Sequence, residues 1–193
     1  MLRVIIIVLV IAVALLRGGS LSSFAALPLR WPALAILGFA LQLLIFTPFA
    51  RAPLIAVATA PLYTLSLALV AVWVARNWRI PGMALIAVGL LLNVAAVAAN
   101  GGHMPISPEA ARFAGRYGQY VTSDMSVARP AVSADGQARL WLLTDIIGLP
   151  KEVPFATVWS IGDVLLTLGV AILCYRTMLA RPGLRRGREP QLP

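Results

Sequence analysis

The chain has 193 residues, 60% of them hydrophobic and 12% charged, with a mean hydropathy of +0.88 and a formal net charge of +9. Soluble domains carry about 45–50% apolar and about 25% charged residues, which excludes an ordinary cytosolic enzyme, a disordered regulator and a secreted disulfide scaffold. The composition is that of an integral membrane protein, with room for five spans of about 20 residues each.

The first apolar segment covers about residues 2–16. Met1-Leu2-Arg3 followed by an apolar run resembles a signal peptide, but Arg17-Gly18-Gly19 stands where a small-residue cleavage site belongs. An uncleaved, short first span is expected. The second segment, about 33–49, is entered through Trp31-Pro32, and the third, about 54–75, contains Pro61. Proline removes a backbone donor and kinks a helix, which packed neighbours tolerate in a membrane. The fourth and fifth segments cover about 81–99 and 158–179. Trp31, Trp73, Trp78, Trp159 and Tyr175 fall near segment ends, where amphipathic rings favour the headgroup layer.

Orientation follows from the basic residues. Arg17, Arg30, Arg76, Arg79 and the tail arginines 176, 181, 185, 186 and 188 fall on one side of a five-span topology. Arg3, Arg51 and the loop residues Arg112, Arg116, Arg129, Arg139 and Lys151 fall on the other. The larger group marks the cytoplasmic side, which puts the N-terminus outside and the C-terminus inside. No basic face is interleaved with aromatics, so no nucleic-acid partner is expected. The basic tail 181–193 reads as disordered.

The outer loop, about 101–153, is the one sizeable extramembrane piece. Ser107-Pro108-Glu109 has the pattern of a helix start and predicts a short helix to about Arg116. Asp135-Gly136 signals a turn, and the apolar stretch 140–147 is suited to the membrane surface.

Polar groups in apolar segments are costly and mark candidate sites. Gly89, Asn93, Ala96 and Asn100 share one helical face of the fourth segment; Ser160, Asp163 and Thr167 share one of the fifth. Facing stripes would form an outer polar pocket. Alternatively, Asn93 is interhelical glue, Gly89 and Ala96 form a docking face for another helix, and Ser160-x-x-Asp163 is a capping box. Gly101 and Gly102 permit a tight turn or the close approach of a ligand, with His103 beside them as hydrogen-bonder, ligand contact or proton carrier. Asp145 either caps a turn before Pro150 or pairs with Asp163 for acid/base work. Cys174, the lone cysteine, reads as a small core residue. The single histidine is too few for a multi-histidine metal centre, and no nucleotide or metal motif occurs, so neither metal nor other cofactor is expected.

Asn100-Gly101-Gly102-x-Met104-Pro105, Asp145-Ile146-Ile147-x-Leu149-Pro150 and Ser160-Ile161-Gly162-Asp163-Val164, with Arg17-Gly18-Gly19-Ser20-Leu21 early in the chain, together resemble a bacterial family of small multi-pass membrane proteins of unknown function. The resemblance covers nearly the whole chain and implies a bacterial cytoplasmic-membrane location. More locally, Trp159 to Leu165 with Leu168-Gly169-Val170 is similar to the last helix of lipoprotein signal peptidases, where an aspartate works with a second one near the outer end of the preceding span. This chain has Asn100-Gly101-Gly102 at that place, leaving Asp145 as the remaining candidate partner for Asp163.

The expected fold is an all-α bundle of five spans with one extracytoplasmic loop. The leading functional expectation is a non-catalytic membrane protein. It would bind a lipid-like ligand through Asn93, Asn100, Gly101, Gly102, His103, Ser160 and Asp163, or serve as a subunit of a membrane complex. The alternative is an aspartate-dependent hydrolase at the outer membrane face, with Asp163 and Asp145 as the catalytic pair.

Overall fold

Among the described residues, each of the five apolar runs forms a helix. The structure, a computed structural model, describes residues 2–46, 53–121, 131–132 and 138–180. Among these, α1 is Leu2–Leu16, α2 Pro32–Phe46, α3 Pro53–Arg76 and α4 Met83–Ala99. In the segment after α4 come β1 (Pro105–Ile106), α5 (Pro108–Phe113), α6 (Tyr117–Val121), β2 (Ala131–Val132), β3 (Ile147–Gly148) and β4 (Val158–Trp159). The last helix, α7, is Ile161–Leu179. α7 is long and apolar enough to cross a membrane; α1, α2 and α4 are shorter apolar helices.

α7 starts three residues later than its apolar run because Val158 and Trp159 are recruited into an antiparallel pair, Ile147 opposite Trp159 and Gly148 opposite Val158. α3 continues through Pro61. α5 begins as its sequence predicts, with the Ser107 hydroxyl accepting from the Ala110 N–H and Pro108 in the first turn. It ends at Phe113, short of Arg116, where Gly115 takes φ +65 and leaves the helical region. The Asp135-Gly136 turn, the end of the second apolar segment and the tail 181–193 lie outside the described residues.

Glycines set the closest helix contact. A Cβ on Gly89 of α4 would lie 2.5 Å from the Gly162 carbonyl oxygen, and one on Gly169 of α7 would lie 2.8 Å from that of Gly82. α4 and α7 therefore touch backbone to backbone, in opposite directions. This uses Gly89 inside the fold; Ala96 is fully buried as well, so neither is free to form the docking face considered above. Around this contact Leu67, Val70, Val74, Met83, Ile86 and Leu90 form the core, with Leu166, Val170 and Leu173 packed on it.

α2 runs against α3, with Gly38 beside Val70 and Ser66. α1 lies parallel to α7: Arg3 meets Asp163 at one end, and the Ser20 N–H donates to the Met178 carbonyl at the other (2.9 Å). Successive long helices thus alternate in direction. One end of the bundle gathers Arg17, Arg30, Arg76, Arg79 and Arg176; the other carries Arg3, Asp163 and the segment between α4 and α7. That segment has a small core of its own, Ile106, Ala110, Ala111, Ala114 and Val158.

Candidate functional site

Asp163 stands in the first turn of α7. The Ser160 hydroxyl accepts from the Asp163 N–H (2.9 Å), and the Asp163 carboxylate accepts from the Ser160 N–H (3.4 Å), closing a capping box. Ser160 also donates to Asn93 Oδ1 (2.8 Å), while Asn93 Nδ2 donates to Asp163 Oδ1 (3.0 Å). Gly162 makes this possible, because any Cβ there would collide with the Asn93 amide. The Arg3 guanidinium completes the cluster by pairing with Asp163 Oδ2, and it also lies over the Trp159 ring, 5.2 Å from its centroid. Three donors therefore converge on a carboxylate with about four acceptor positions. Thr167 bonds away from the cluster, back to the Asp163 carbonyl (2.8 Å).

The other candidates separate from this cluster. Asn100 clasps the incoming loop: its amide donates to the Arg139 carbonyl (2.8 Å) and accepts from the Arg139 N–H (2.9 Å), while also donating to its own helix at Ala96 (2.7 Å). Asn77, at the end of α3, does the same to Arg30 and Trp73 at the opposite end of the bundle. Gly101 and Gly102 take φ +68 and +90, a turn closed to most side chains. His103 follows this turn, its Nδ1 buried and without a hydrogen-bond partner among the described residues.

Asp145 is placed by two backbone bonds that tie the start and end of the loop together. Its N–H donates to the Pro105 carbonyl (3.0 Å), and its carbonyl accepts from the Ser107 N–H (2.9 Å). The carboxyl is buried, and among the described residues its Oδ1 has no hydrogen-bond partner. Burial pushes it up to about 8, Asp163 adding to the shift and Arg3 opposing it. Both carboxyls are also within electrostatic reach of Tyr63 on α3.

This predicts a pH dependence. The folded chain keeps the Asp145 proton to about pH 8, whereas an unfolded carboxyl releases it near 3.8. The native state binds the extra proton between those values, so stability falls as pH rises from about 4 to about 8 and then levels. Thermal unfolding across that range should show the slope in the wild type and its loss in Asp145→Asn. Identical slopes would remove Asp145 as the cause.

Arg3 and Trp159 are cluster members that the polar stripes did not reveal. The signal available for Arg3 was a cation at the head of one apolar segment and an acid in another, two charges that each need a partner. Among the described residues, two cavities lie apart from the cluster. One, about 430 Å³, opens in the loop between Pro105, Ile106, Glu109, Trp141, Thr144 and Ile146. The other, about 390 Å³, is a groove between α1 and α7.

Residues 26–175 match the model of a family of unknown function, DUF5317. The chain belongs to this family. The match includes α2 to α6 and most of α7, with Asn93, Asn100, Asp145 and Asp163 inside it, while Arg3 precedes it. No curated protein and no solved structure matches the chain. Family membership thus assigns no chemistry to the DUF5317 cluster.

Proposed function

We propose that the protein is a five-span protein of the bacterial cytoplasmic membrane, with its N-terminus outside and its C-terminal tail in the cytoplasm. In this reading it is non-catalytic and binds a lipid-like ligand in the loop cavity. The alternating helix directions support the topology, as does the gathering of five arginines at one end, the pattern of a cytoplasmic face. Large side chains such as Ile36, Leu43 and Leu91 point outward with more than half their surface exposed, as a lipid-facing shell would.

The single observation carrying the ligand reading is the 430 Å³ cavity. It is mostly apolar, with Trp141 as a wall and Ser107, Glu109 and Thr144 as its polar groups, the usual makeup of a small-molecule site. It suits an apolar body whose hydrogen-bond-donating or cationic head turns to Glu109. The Arg3–Asp163–Asn93–Ser160 cluster then serves as a staple that holds α1, α4 and α7 beneath the loop.

A second reading, an aspartate-dependent hydrolase, is favoured by one observation: Asp145, held protonated, senses the charge of Asp163. Against it, the Asp163 oxygens are already engaged by Arg3, Asn93 and the Ser160 N–H, leaving little room to hold a reacting water. Native mass spectrometry of gently solubilised protein discriminates the two. A small apolar molecule retained by the wild type and by Asp163→Asn, but lost from Trp141→Ala, is the expected result. Retention in Trp141→Ala with loss in both Asp163→Asn and Asp145→Asn would transfer the site to the carboxyl pair. A reporter fused after Arg188 should report cytoplasm; a periplasmic signal would overturn the orientation.

A further inference from the structure

The groove between α1 and α7 is lined by Leu9, Val10 and Val13 on one side and Ala171 and Ile172 on the other. At the basic end it terminates in Tyr175 and Arg176. Arg17 is fixed beside it, its Nη1 donating to the Tyr175 hydroxyl (2.7 Å). An apolar channel thus leads to a mouth with two guanidiniums and a phenol.

Among the described residues that mouth has no counter-charge. The described acids, Glu109, Asp145, Glu152 and Asp163, all belong to the loop or the first turn of α7, at the other end of the bundle. Among the described residues neither Arg17 nor Arg176 has an acid within ion-pair distance. Arg76 and Arg79, at the same end, instead lie over Trp31 and Trp78.

We infer that the groove is a site for an anionic phospholipid of the cytoplasmic leaflet. One acyl chain lies along Leu9, Val13 and Ala171, and the headgroup phosphate is received by Arg17 and Arg176. Arginine forks match phosphate oxygens, and basic recesses between helices on the cytoplasmic side suit anionic headgroups. From Leu9 to Val13 the α1 wall rises about 6 Å, enough for the first few methylenes below the headgroup. Charge also selects this occupant over two others. The tail beyond Ala180 is net basic, with Arg181, Arg185, Arg186 and Arg188 against Glu189, and so is a poor counter-charge for the mouth. A second copy related by a two-fold axis along the membrane normal would bring the same arginines face to face.

The inference rests on the membrane reading but not on the loop cavity. It is tested with the full-length protein in detergent, titrated by native mass spectrometry with phosphatidylglycerol and phosphatidylcholine of identical acyl chains. Wild type should prefer phosphatidylglycerol, and Arg17→Gln and Arg176→Gln should each lower that preference about five-fold. Val13→Trp, which fills the groove and leaves both arginines in place, should also displace the lipid. Arg79→Gln, at the same end but off the groove, should change nothing. Equal binding of the two lipids, or an equal loss in Arg79→Gln, would overturn the site. A lipid-independent dimer dissolved by Val13→Trp would assign the groove to a second copy. A chain that stays soluble and monodisperse without detergent would overturn the membrane reading itself.

Discussion

Arg3→Met should destabilise the protein by about 2–3 kcal/mol, more than Asp163→Asn, which should cost about 1 kcal/mol. The two partners are unequally placed: the Arg3 side chain is 47% exposed and that of Asp163 is 9% exposed. Without Asp163, Arg3 turns outward, and the asparagine that replaces the acid still offers the Ser160 N–H an acceptor while Ser160 caps α7. Without Arg3, a buried carboxylate keeps Asn93 and one backbone N–H but loses its counter-charge. The figure for Arg3 stays below the 3–5 kcal/mol typical of a fully buried pair because solvent screens its outer half. The double variant should be about 1 kcal/mol better than the sum of the singles, since it removes the stranded charge. Unfolding of the four proteins in one detergent measures the cycle. Strict additivity would mean that Arg3 and Asp163 do not act as a pair.

Gly89→Ala and Gly162→Ala should each cost about 2–3 kcal/mol net, against a gain in helix propensity of up to about 1 kcal/mol. The collisions are with backbone and a clamped amide, which cannot rotate away. At Gly89 the new methyl meets the Gly162 carbonyl oxygen at 2.5 Å and the Leu166 nitrogen at 2.9 Å. At Gly162 it meets the Gly89 carbonyl oxygen at 2.6 Å and displaces the Asn93 amide. The second substitution should therefore also loosen Asp163, and should remove part of the coupling in the Arg3 cycle, whereas the first should leave more of it. Gly118→Ala is the control: nothing lies within 4 Å of its Cβ position, and the change should be neutral or mildly stabilising. Equal tolerance at all three positions would show that α4 and α7 are not in close contact.

These particulars separate what a linear reading reaches from what it misses. Helical periodicity put Asn93 on one stripe and Ser160 and Asp163 on another, and the structure brings the three together because both stripes turn on glycines. The capping box and the Ser107 cap are local patterns, spanning four residues each, and are legible for that reason. Asn100 shares the stripe of Asn93, yet it lies at the helix end, where its amide is claimed by the Arg139 backbone; periodicity does not distinguish the two situations. Arg3 pairs with a residue 160 positions away, and no local rule reports that distance. The loop cavity was equally hidden, since its walls come from β1, the start of α5 and the residues around Trp141, short pieces with weak individual patterns.

The parallel seating of α1 on α7 also bears on the order of assembly. The first helix leaves the ribosome well before its main neighbour, and at about 5–20 residues per second the 160 residues between Arg3 and Asp163 take about 8–30 s to synthesise. During that interval Arg3 lacks Asp163, and the groove face of α1 lacks the helix that forms its other wall. α2, α3 and α4 are by then complete, and they offer α1 no comparable surface. α1 is thus among the last of these helices to find its place, and the arrival of α7 closes the bundle at both ends at once.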